Sequence, residues 1–237
     1  MYNILNQELP EKKDKKVKPK ELVIDHDIPI EKIYDIFPKT DKIMDIRITD
    51  IGLYSITKKN EAYFITNLIT KFFGTNKVTI TDSTACIGGN TLGFQLNEQI
   101  KKVNSIELDK LHFDMLRNNI NLYDNSEKVN LIHDNYLNVM KVISQDIIFH
   151  DFPWGGVNYR ENESIMLGLY DNDNTYHKIS EIVNELKSYS KMQVLKLPLN
   201  FEFAEFFQEI KYNKIKLHKI YNKYTKKLYY YIMILLN

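Results

Sequence analysis

Strand-like and helix-like segments alternate along most of this 237-residue chain. Short apolar runs predict strands at 77–82, 103–108, 129–133, 146–151 and 193–197. Helical spacing predicts helices at 90–98, 109–123, 136–144, 174–188 and 201–210. Such alternation indicates an α/β fold with a mostly parallel sheet and helices on both faces. Two further strands, at 216–222 and 228–236, have no helix between them and predict a final antiparallel hairpin, which makes seven strands in all.

The N-terminal third does not follow this alternation. Residues 1–25 are charged and poor in apolar side chains, which predicts a mobile tail. Residues 26–73 show apolar residues at irregular three- and four-residue steps and predict a small helical cap. That cap ends in a helix that enters the core, with Thr57 as its predicted N-cap. The main domain is then predicted to occupy residues 74–237.

Composition excludes several classes of protein. The single cysteine, Cys86, allows no disulfide framework and favours a reducing, intracellular compartment. No apolar run is long enough to span a bilayer, and the first 20 residues lack the apolar stretch of a signal peptide. The six histidines show no ligand spacing, so no metal site is expected. The net charge of +1 shows no global basic excess, although a binder of an RNA end with a small footprint would not need one. We expect a monomer.

The segment from Asp146 to Tyr159 carries the clearest chemical pattern. A buried strand ends there in Asp-Phe-Pro-Trp, residues 151–154, followed by two glycines. Proline ends the strand, and the turn presents a carboxylate, a backbone carbonyl and the only tryptophan of the chain. The two oxygens can accept hydrogen bonds from an exocyclic amino group, and the indole offers a flat face to a base. The alternative interpretation is a core strand that simply ends in a turn.

Two earlier strand ends support a ligand site at the same edge of the sheet. The first strand ends at Asp82 and is followed by the Gly88-Gly89 turn, which allows close backbone approach to a ligand. The second ends at Glu107, where a carboxylate can accept both hydroxyls of a ribose. Taken singly, the glycine pair could be a plain tight turn and the acid a helix cap. His150 invites a role as a general base, but a histidine in a buried strand is more often a packed residue.

Together these residues resemble the trimethylguanosine synthases, which are RNA cap guanine-N2 methyltransferases. The similarity runs over roughly residues 34 to 235 and rests on short blocks in the same order. The blocks that carry it are Ser55-Ile56-Thr57, Cys86-Ile87-Gly88-Gly89-Asn90, Arg117-Asn118-Asn119 with Tyr123, Phe152-Pro153-Trp154-Gly155-Gly156 with Tyr159, Leu197-Pro198-Leu199-Asn200 and Lys226-Lys227.

The resemblance implies a class I Rossmann-like methyltransferase with S-adenosylmethionine as cofactor and a 7-methylguanosine-capped RNA as partner. The catalytic segment would be Asp151, Phe152, Pro153 and Trp154. Cofactor-binding residues would be Ser55, Thr57, Asp82, Thr84, Gly88, Gly89, Asn90, Glu107, Asn135, Tyr136 and Asp151, with Asn135 and Tyr136 at the adenine. Substrate-binding residues would be Phe37 from the cap, Asn119 at the guanine edge, Trp154 stacked on the base, and Tyr159 and Lys227 at the phosphates.

Three departures from the family pattern bear on this expectation. Cys86 stands where the family has the first glycine of the turn, so its backbone is expected to avoid the torsions that only glycine favours. Phe152 replaces a proline. Leu199 replaces a phosphate-binding arginine, so that contact is expected to weaken or to pass to Lys196, Lys226 or Lys227.

The sequence leaves two other functions open. One is an amino-methyltransferase that acts on an internal base of RNA or DNA. The other is a catalytically inactive cap- or RNA-binding module on the same fold, which the substitutions at Cys86 and Leu199 would favour.

Overall fold

The computed structural model describes residues 19–222 and 224–237. Its strands are β1 (Glu21–Leu22), β2 (Ile48–Thr49), β3 (Val78–Asp82), β4 (Ile100–Glu107), β5 (Val129–His133), β6 (Ile147–His150), β7 (Gly168–Tyr170), β8 (Tyr176–Lys178), β9 (Met192–Leu197), β10 (Lys214–Tyr221) and β11 (Leu228–Leu236). Its helices are α1 (Ile30–Ile36), α2 (Asp50–Ser55), α3 (Lys59–Thr70), α4 (Gly89–Gln95), α5 (Lys110–Asn121), α6 (Tyr136–Val139), α7 (Ile179–Glu185) and α8 (Phe203–Glu209). Short 3₁₀ turns lie at Ile43–Asp45, Ser126–Lys128, Tyr159–Glu161 and Lys187–Tyr189.

The central sheet has seven strands in the order β10-β11-β9-β6-β3-β4-β5. The five strands from β9 to β5 are parallel, whereas β11 runs antiparallel to both β9 and β10. The predicted α/β architecture and its C-terminal antiparallel pair are therefore confirmed. The chain winds from β3 outward to β5 and then returns to β6 on the other side of β3. This reversal places the switch point, where open α/β sheets bind ligands, between β3 and β6.

Most of the predicted elements are present, and the exceptions have local causes. The predicted helix 174–188 is instead a β7–β8 hairpin followed by α7. The Asp171 side chain accepts hydrogen bonds from the backbone N–H groups of Asp173 and Thr175 and so closes the hairpin turn. The predicted helix 136–144 ends at Val139. The N-cap prediction at Thr57 is wrong, because α3 begins at Lys59 after Lys58.

The N-terminal segment is packed into the main fold. Ile33 and Ile36 from α1 share one buried cluster with Leu92 of α4 and with Met115 and Leu116 of α5. Most of the predicted tail, residues 1–18, lies outside the described residues. The predicted tail boundary at residue 25 differs from the structure, because Glu21 and Leu22 pair with β2 and Glu21 holds Arg47 through two hydrogen bonds of 2.8 and 3.0 Å.

The sheet is covered on both faces by apolar clusters. One cluster joins α7 and α8 to β6, β9 and β11, and another joins α3 and α4 to β3, β4 and β6. None of the helices in the described ranges is long and apolar enough to cross a bilayer.

Candidate active site

A cavity of about 370 Å³ opens at the carboxyl ends of β3, β4 and β6. Its walls come from α2 and the loop after it, the β3–α4 turn, the end of β4, the segment after β6, and β9 and β11. Predicted site residues on its wall are Ser55, Thr57, Thr84, Gly89, Asn90, Glu107, Asp151, Phe152, Pro153, Trp154 and Tyr159. Residues from the loop before α3, the β3–α4 turn, the end of β4 and the segment after β6 thus meet in one concave site, as the sheet topology requires.

The β3–α4 turn has a left-handed backbone at two positions. Cys86 has φ +49° and Gly88 has φ +104°. The expectation that Cys86 would avoid this region is wrong. Its backbone N–H donates to Oε2 of Glu107 at 2.8 Å, and this bond supports the turn despite strain of about 1–2 kcal/mol. Burial in apolar surroundings and the neighbouring Glu107 raise the pKa of the Cys86 thiol, so the thiol is neutral.

Gly89 is required by the close approach of the loop before α3. A Cβ atom at this position would lie 2.6 Å from the carbonyl oxygen of Thr57 and 2.5 Å from Ile56. This contact brings Thr57 over the start of α4 and into the site.

Two acids lie at the β3–β4 end of the site. Glu107 accepts backbone hydrogen bonds from Cys86 and, through Oε1, from Asp109 at 2.7 Å. Burial raises the pKa of Glu107 to about 7. Asp82 is fully buried behind the cavity wall rather than on it, and its Oδ2 accepts a 2.7 Å hydrogen bond from Thr91. Its Oδ1 is buried without a partner among the described residues, and burial raises the pKa of this carboxyl to about 7 as well.

Asp151 is held by three donors, all on one carboxylate oxygen. Oδ2 accepts from Lys196 Nζ at 2.9 Å, from Asn90 Nδ2 at 3.1 Å and from Thr57 Oγ1 at 3.3 Å. The backbone carbonyl of Asp151 accepts from Thr84 Oγ1 at 2.9 Å. These contacts fix the carboxylate and leave Oδ1 without a hydrogen bond in the described part of the chain.

The next residue adds a second open acceptor. The Phe152 side chain is buried in the core, and its ring meets the His150 ring edge to face at 5.1 Å. Its backbone carbonyl accepts no hydrogen bond from the described residues, and Phe152 lies on the cavity wall. Asp151 and Phe152 both line the cavity, and each keeps an acceptor without a partner among the described residues, Oδ1 and the backbone carbonyl. Two such acceptors can bind the two hydrogens of an amino group.

Trp154 supplies the flat surface of the site. Its ring meets Tyr159 edge to face with centroids 5.2 Å apart, and the ammonium of Lys196 lies 5.5 Å from its centroid. Gly155 and Gly156, with φ of +97° and +80°, allow the chain to turn sharply between Trp154 and Tyr159.

Lys196 has a role in the site that the sequence did not predict. It was considered only as a substitute phosphate contact, but its side chain is 8% exposed and reaches into the site from β9. Besides Asp151, its ammonium donates to Thr57 Oγ1 at 2.7 Å and lies 5.3 Å from the Tyr230 ring centroid. A lysine near the carboxyl end of a largely apolar strand was the signal that could have identified it. Glu61, Arg160, Tyr229 and Tyr230 also line the cavity and were not predicted.

Several predicted site residues lie elsewhere. Asn119 is fully buried and joins two segments: its amide donates to the carbonyls of Arg47 and Ile87, and its Oδ1 accepts from the Arg47 N–H. These bonds occupy the groups that would read a guanine edge. Phe37 is packed in the N-terminal apolar cluster and does not line the cavity.

The two residues predicted at the adenine are also off the cavity wall. Asn135 caps α6 through the Leu137 N–H and donates to the Tyr170 carbonyl. Tyr136 is packed in the core beside His150. In this structure neither presents a free face to a ligand in the cavity. Gly88 lies in the β3–α4 turn behind Gly89.

Lys227 lies in a neighbouring cavity, and His150 is confirmed as a packed residue. Lys227 lines a chamber of about 520 Å³ that shares Tyr159 and Arg160 with the first cavity. His150 is fully buried between Ser83 and Gln193, and burial lowers its pKa to about 4, so it is neutral and closed off from substrate. Among the described residues no group of three His, Cys, Asp or Glu side chains could hold a metal ion.

Comparison with solved structures supports the fold. A putative methyltransferase from Porphyromonas gingivalis W83 matches with a TM-score of 0.57 and 14% identity, over 81% of this chain and 43% of that chain. The precorrin-6y C5,15-methyltransferase from Geobacter metallireducens GS-15 matches with a TM-score of 0.51 and 15% identity, over 77% of this chain and 90% of that chain. At this level of identity the similarity shows the fold alone.

The fold is that of the Rossmann-like methyltransferases, whose cofactor is S-adenosylmethionine. More particularly, the family model of RNA cap guanine-N2 methyltransferases matches residues 77–235, and the chain belongs to that family. The uncharacterized protein L320 of Acanthamoeba polyphaga mimivirus is 38% identical over 152 residues, which are 61% of this chain and 56% of that protein. The chain thus spans about half the length of this curated relative.

The acidic end of the cavity fits S-adenosylmethionine, which carries a sulfonium, an ammonium and a ribose diol. Asp82 Oδ1, next to the β3–α4 turn, is buried and accepts no hydrogen bond from the described residues, so a donor or a cation would stabilise it. Each Glu107 oxygen uses one lone pair on a backbone N–H and keeps one for a ribose hydroxyl. Gly89, which lines the same cavity, allows Ile56 and Thr57 to pack directly on the turn beside these acids.

Proposed function

We propose that this protein methylates the exocyclic N2 of 7-methylguanosine RNA caps. The observation that carries the proposal is the pair of open acceptors, Asp151 Oδ1 and the Phe152 carbonyl, in the same cavity as the indole of Trp154. Two acceptors bind the two N2 hydrogens, and an indole face attracts the positively charged 7-methylguanine through cation–π stacking. The family to which the chain belongs supports the same substrate.

The residues of the site act mainly by positioning. When bound, S-adenosylmethionine supplies a methyl group on a positively charged sulfur, which departs as a neutral thioether. Asp151 Oδ1 and the Phe152 carbonyl would hold the amino group so that its lone pair points at the methyl group to be transferred. Trp154 would fix the plane of the base. The negative charge of Asp151 favours the positive charge that develops on N2, and its Oδ1 can accept the proton that N2 loses.

Asp151 is suited to this role because its other oxygen is anchored. Lys196, Asn90 and Thr57 fix Oδ2, and the carboxylate therefore does not need to reorganise when the amino group binds. The cap phosphates can be received by Tyr159 and Arg160, which line both the cavity and the neighbouring chamber, and by Lys227 within that chamber. Arg160 can supply the guanidinium that is absent at Leu199.

Mass spectrometry of 7-methylguanosine diphosphate incubated with the protein and S-adenosylmethionine tests the proposal. We expect a mass gain of one or two methyl groups, and none on guanosine diphosphate or uncapped RNA. Methylation of uncapped RNA or DNA alone would show an internal base as the substrate. Absence of S-adenosylmethionine binding by calorimetry would show an inactive module. Either result refutes the proposal.

Two substitutions test the assigned roles. Trp154→Ala should raise the KM for the cap about 10- to 100-fold, because base stacking contributes about 1–3 kcal/mol, whereas Trp154→Phe should retain most of the affinity. Asp151→Asn should lower kcat about 100-fold with cofactor affinity kept. Full activity of Trp154→Ala would exclude the stacking role, and loss of cofactor binding in Asp151→Asn would move that residue out of the acceptor role.

A further inference from the structure

A separate aromatic groove adjoins the active-site cavity on the side of the C-terminal hairpin. It has a volume of about 330 Å³ and lies between the start of α3 and the turn end of the β10–β11 hairpin. We define the aromatic groove by Phe64, Tyr221 and Tyr229, with Asn60 and Lys219 beside them. None of the three aromatic residues has a role in the methyl transfer described above.

Two of the three aromatic side chains that define this groove are exposed to solvent, and Tyr229 is half-buried. Phe64 is 49% exposed and Tyr221 is 56% exposed, although they lie on different elements of the chain. Lys219, on the same strand as Tyr221, has no ion-pair partner among the described residues. The other lysine of the groove, Lys58, is neutralised by Asp35. Aromatic faces beside an unpaired cation and amide side chains are typical of sites for single-stranded nucleic acid, where bases stack on rings in any sequence.

The groove is connected to the active site by a basic chamber. The chamber is the neighbouring cavity of about 520 Å³, which contains Arg160 and Lys227. It shares Asn222 and Tyr229 with the aromatic groove, and it shares Arg160 and Tyr229 with the active-site cavity. Tyr229 lines all three. A ligand that runs from the active site through the chamber would therefore meet first the indole of Trp154. It would then pass the cations of the chamber and end at the exposed rings of the aromatic groove.

That order matches the chemistry of the end of a capped RNA. We propose that the aromatic groove binds the base of the nucleotide that follows the cap, with the linking phosphates in the basic chamber. The inference rests on the proposed function for the direction of the chain, because the cap guanine must occupy the cavity of Trp154. The specificity of the groove is for an unpaired nucleotide of any base, since stacking on Phe64 and Tyr221 reads a ring face and no hydrogen-bonding edge.

The test compares a cap with and without a following nucleotide. Fluorescence titration should show that wild-type protein binds the cap dinucleotide 7-methylguanosine-triphosphate-adenosine about tenfold more tightly than 7-methylguanosine diphosphate, a difference of about 1.4 kcal/mol. Tyr221→Ala should abolish this ratio, and Tyr221→Phe, which keeps the ring, should preserve it. Tyr189→Ala removes a comparably exposed tyrosine (42%) from outside the groove and should change nothing.

Steady-state kinetics adds a readout that general misfolding would not give. In Tyr221→Ala the KM for a short capped RNA should rise about tenfold, while kcat and the KM for 7-methylguanosine diphosphate stay at wild-type values. An unchanged affinity ratio in Tyr221→Ala, or an equal loss for both ligands, overturns the proposal.

Failure of the proposed function would be recognised separately. If wild-type protein does not distinguish 7-methylguanosine diphosphate from guanosine diphosphate, the cap assignment fails, and an uncapped five-nucleotide RNA then tests the groove alone. Weaker binding of that RNA by Tyr221→Ala than by Tyr189→Ala supports the groove as a nucleotide site. Equal binding by the two variants overturns it.

Discussion

Removal of the Lys196 ammonium is the sharpest test of how the site is held together. Lys196 and Asp151 form an ion pair of 2.9 Å with side chains only 8% and 13% exposed. Breaking a buried pair costs about 3–5 kcal/mol, because the remaining charge is left without compensation. Asp151 keeps its hydrogen bonds from Thr57 and Asn90 and faces a cavity that admits water. We therefore expect Lys196→Met to lower the free energy of unfolding by about 2–4 kcal/mol, including the lost cation–π contacts.

The chain offers a matched control for this substitution. Lys191 pairs with Asp146 at the same 2.9 Å, but its side chain is 70% exposed. Since exposed pairs contribute about 0–1 kcal/mol, Lys191→Met should scarcely change stability. In thermal unfolding, Lys196→Met should melt about 6–12 °C below the wild type for a loss of about 3 kcal/mol in a chain of this size. Similar melting temperatures for the two variants would refute the reasoning.

A double substitution separates charge from packing. In Lys196→Met/Asp151→Asn the carboxylate that Lys196 paired is neutral, so much of the lost stability should return. The methyl-transfer rate should not return, because the negative charge at residue 151 is gone. If stability is not regained, the loss in Lys196→Met came from packing against the aromatic rings and not from the ion pair.

Three further predictions follow from the geometry. Burial raises the pKa of Asp82 and of Glu107 to about 7, so their stabilising contribution is full below about pH 4 and is lost as pH rises through 7. A carboxylate attracts a cationic cofactor more strongly than a neutral carboxyl group does, so cofactor affinity, measured by calorimetry, should fall by up to about tenfold per group between pH 8 and pH 6; a flat profile would contradict this. Cys86→Gly should be about 1 kcal/mol more stable than Cys86→Ala in urea unfolding, the reverse of the usual order, because of the positive φ. Asn119→Ala should destabilise the fold by about 2–3 kcal/mol by leaving Arg47 and Ile87 groups unpaired, with no selective loss of cap over cofactor binding; a selective loss would restore Asn119 to guanine recognition.

The sequence was informative wherever the signal was local. The strands around Val78, Val129 and Leu228 were predicted almost to the residue, because apolar runs bounded by turn residues define buried strands. The candidate site segment 151–154 was identified because a proline, a tryptophan and a following glycine pair at the end of one strand are rarely needed together for folding alone. The β7–β8 hairpin was missed although residues 171–174 are all Asp or Asn, which favour turns, because its two strands have only three residues each and are too short to show an alternating pattern.

Several residues that were assigned to the site only by resemblance do not line the cavity. Phe37, Asn119 and Tyr136 match family positions, but the structure gives each a packing or bonding role away from the cavity. A match to a sequence motif shows only which residue type stands at a given position of the chain. Whether its side chain faces a ligand or the core depends on which segment packs against it.

The succession of strands and helices along the chain, the edge of the sheet where the candidate site lies and the proposed amino-group acceptor followed from the sequence by itself, since these depend on alternation, turn chemistry and chain order. Only the tertiary structure decided which side chains hold that acceptor in place. Lys196 is 45 residues from Asp151 and Thr57 is 94 residues from it, and no local pattern predicts their meeting on one carboxylate oxygen. The physical reason is that a buried charge must find its partners in space, and parallel strands with long crossovers bring together residues that are far apart in the chain.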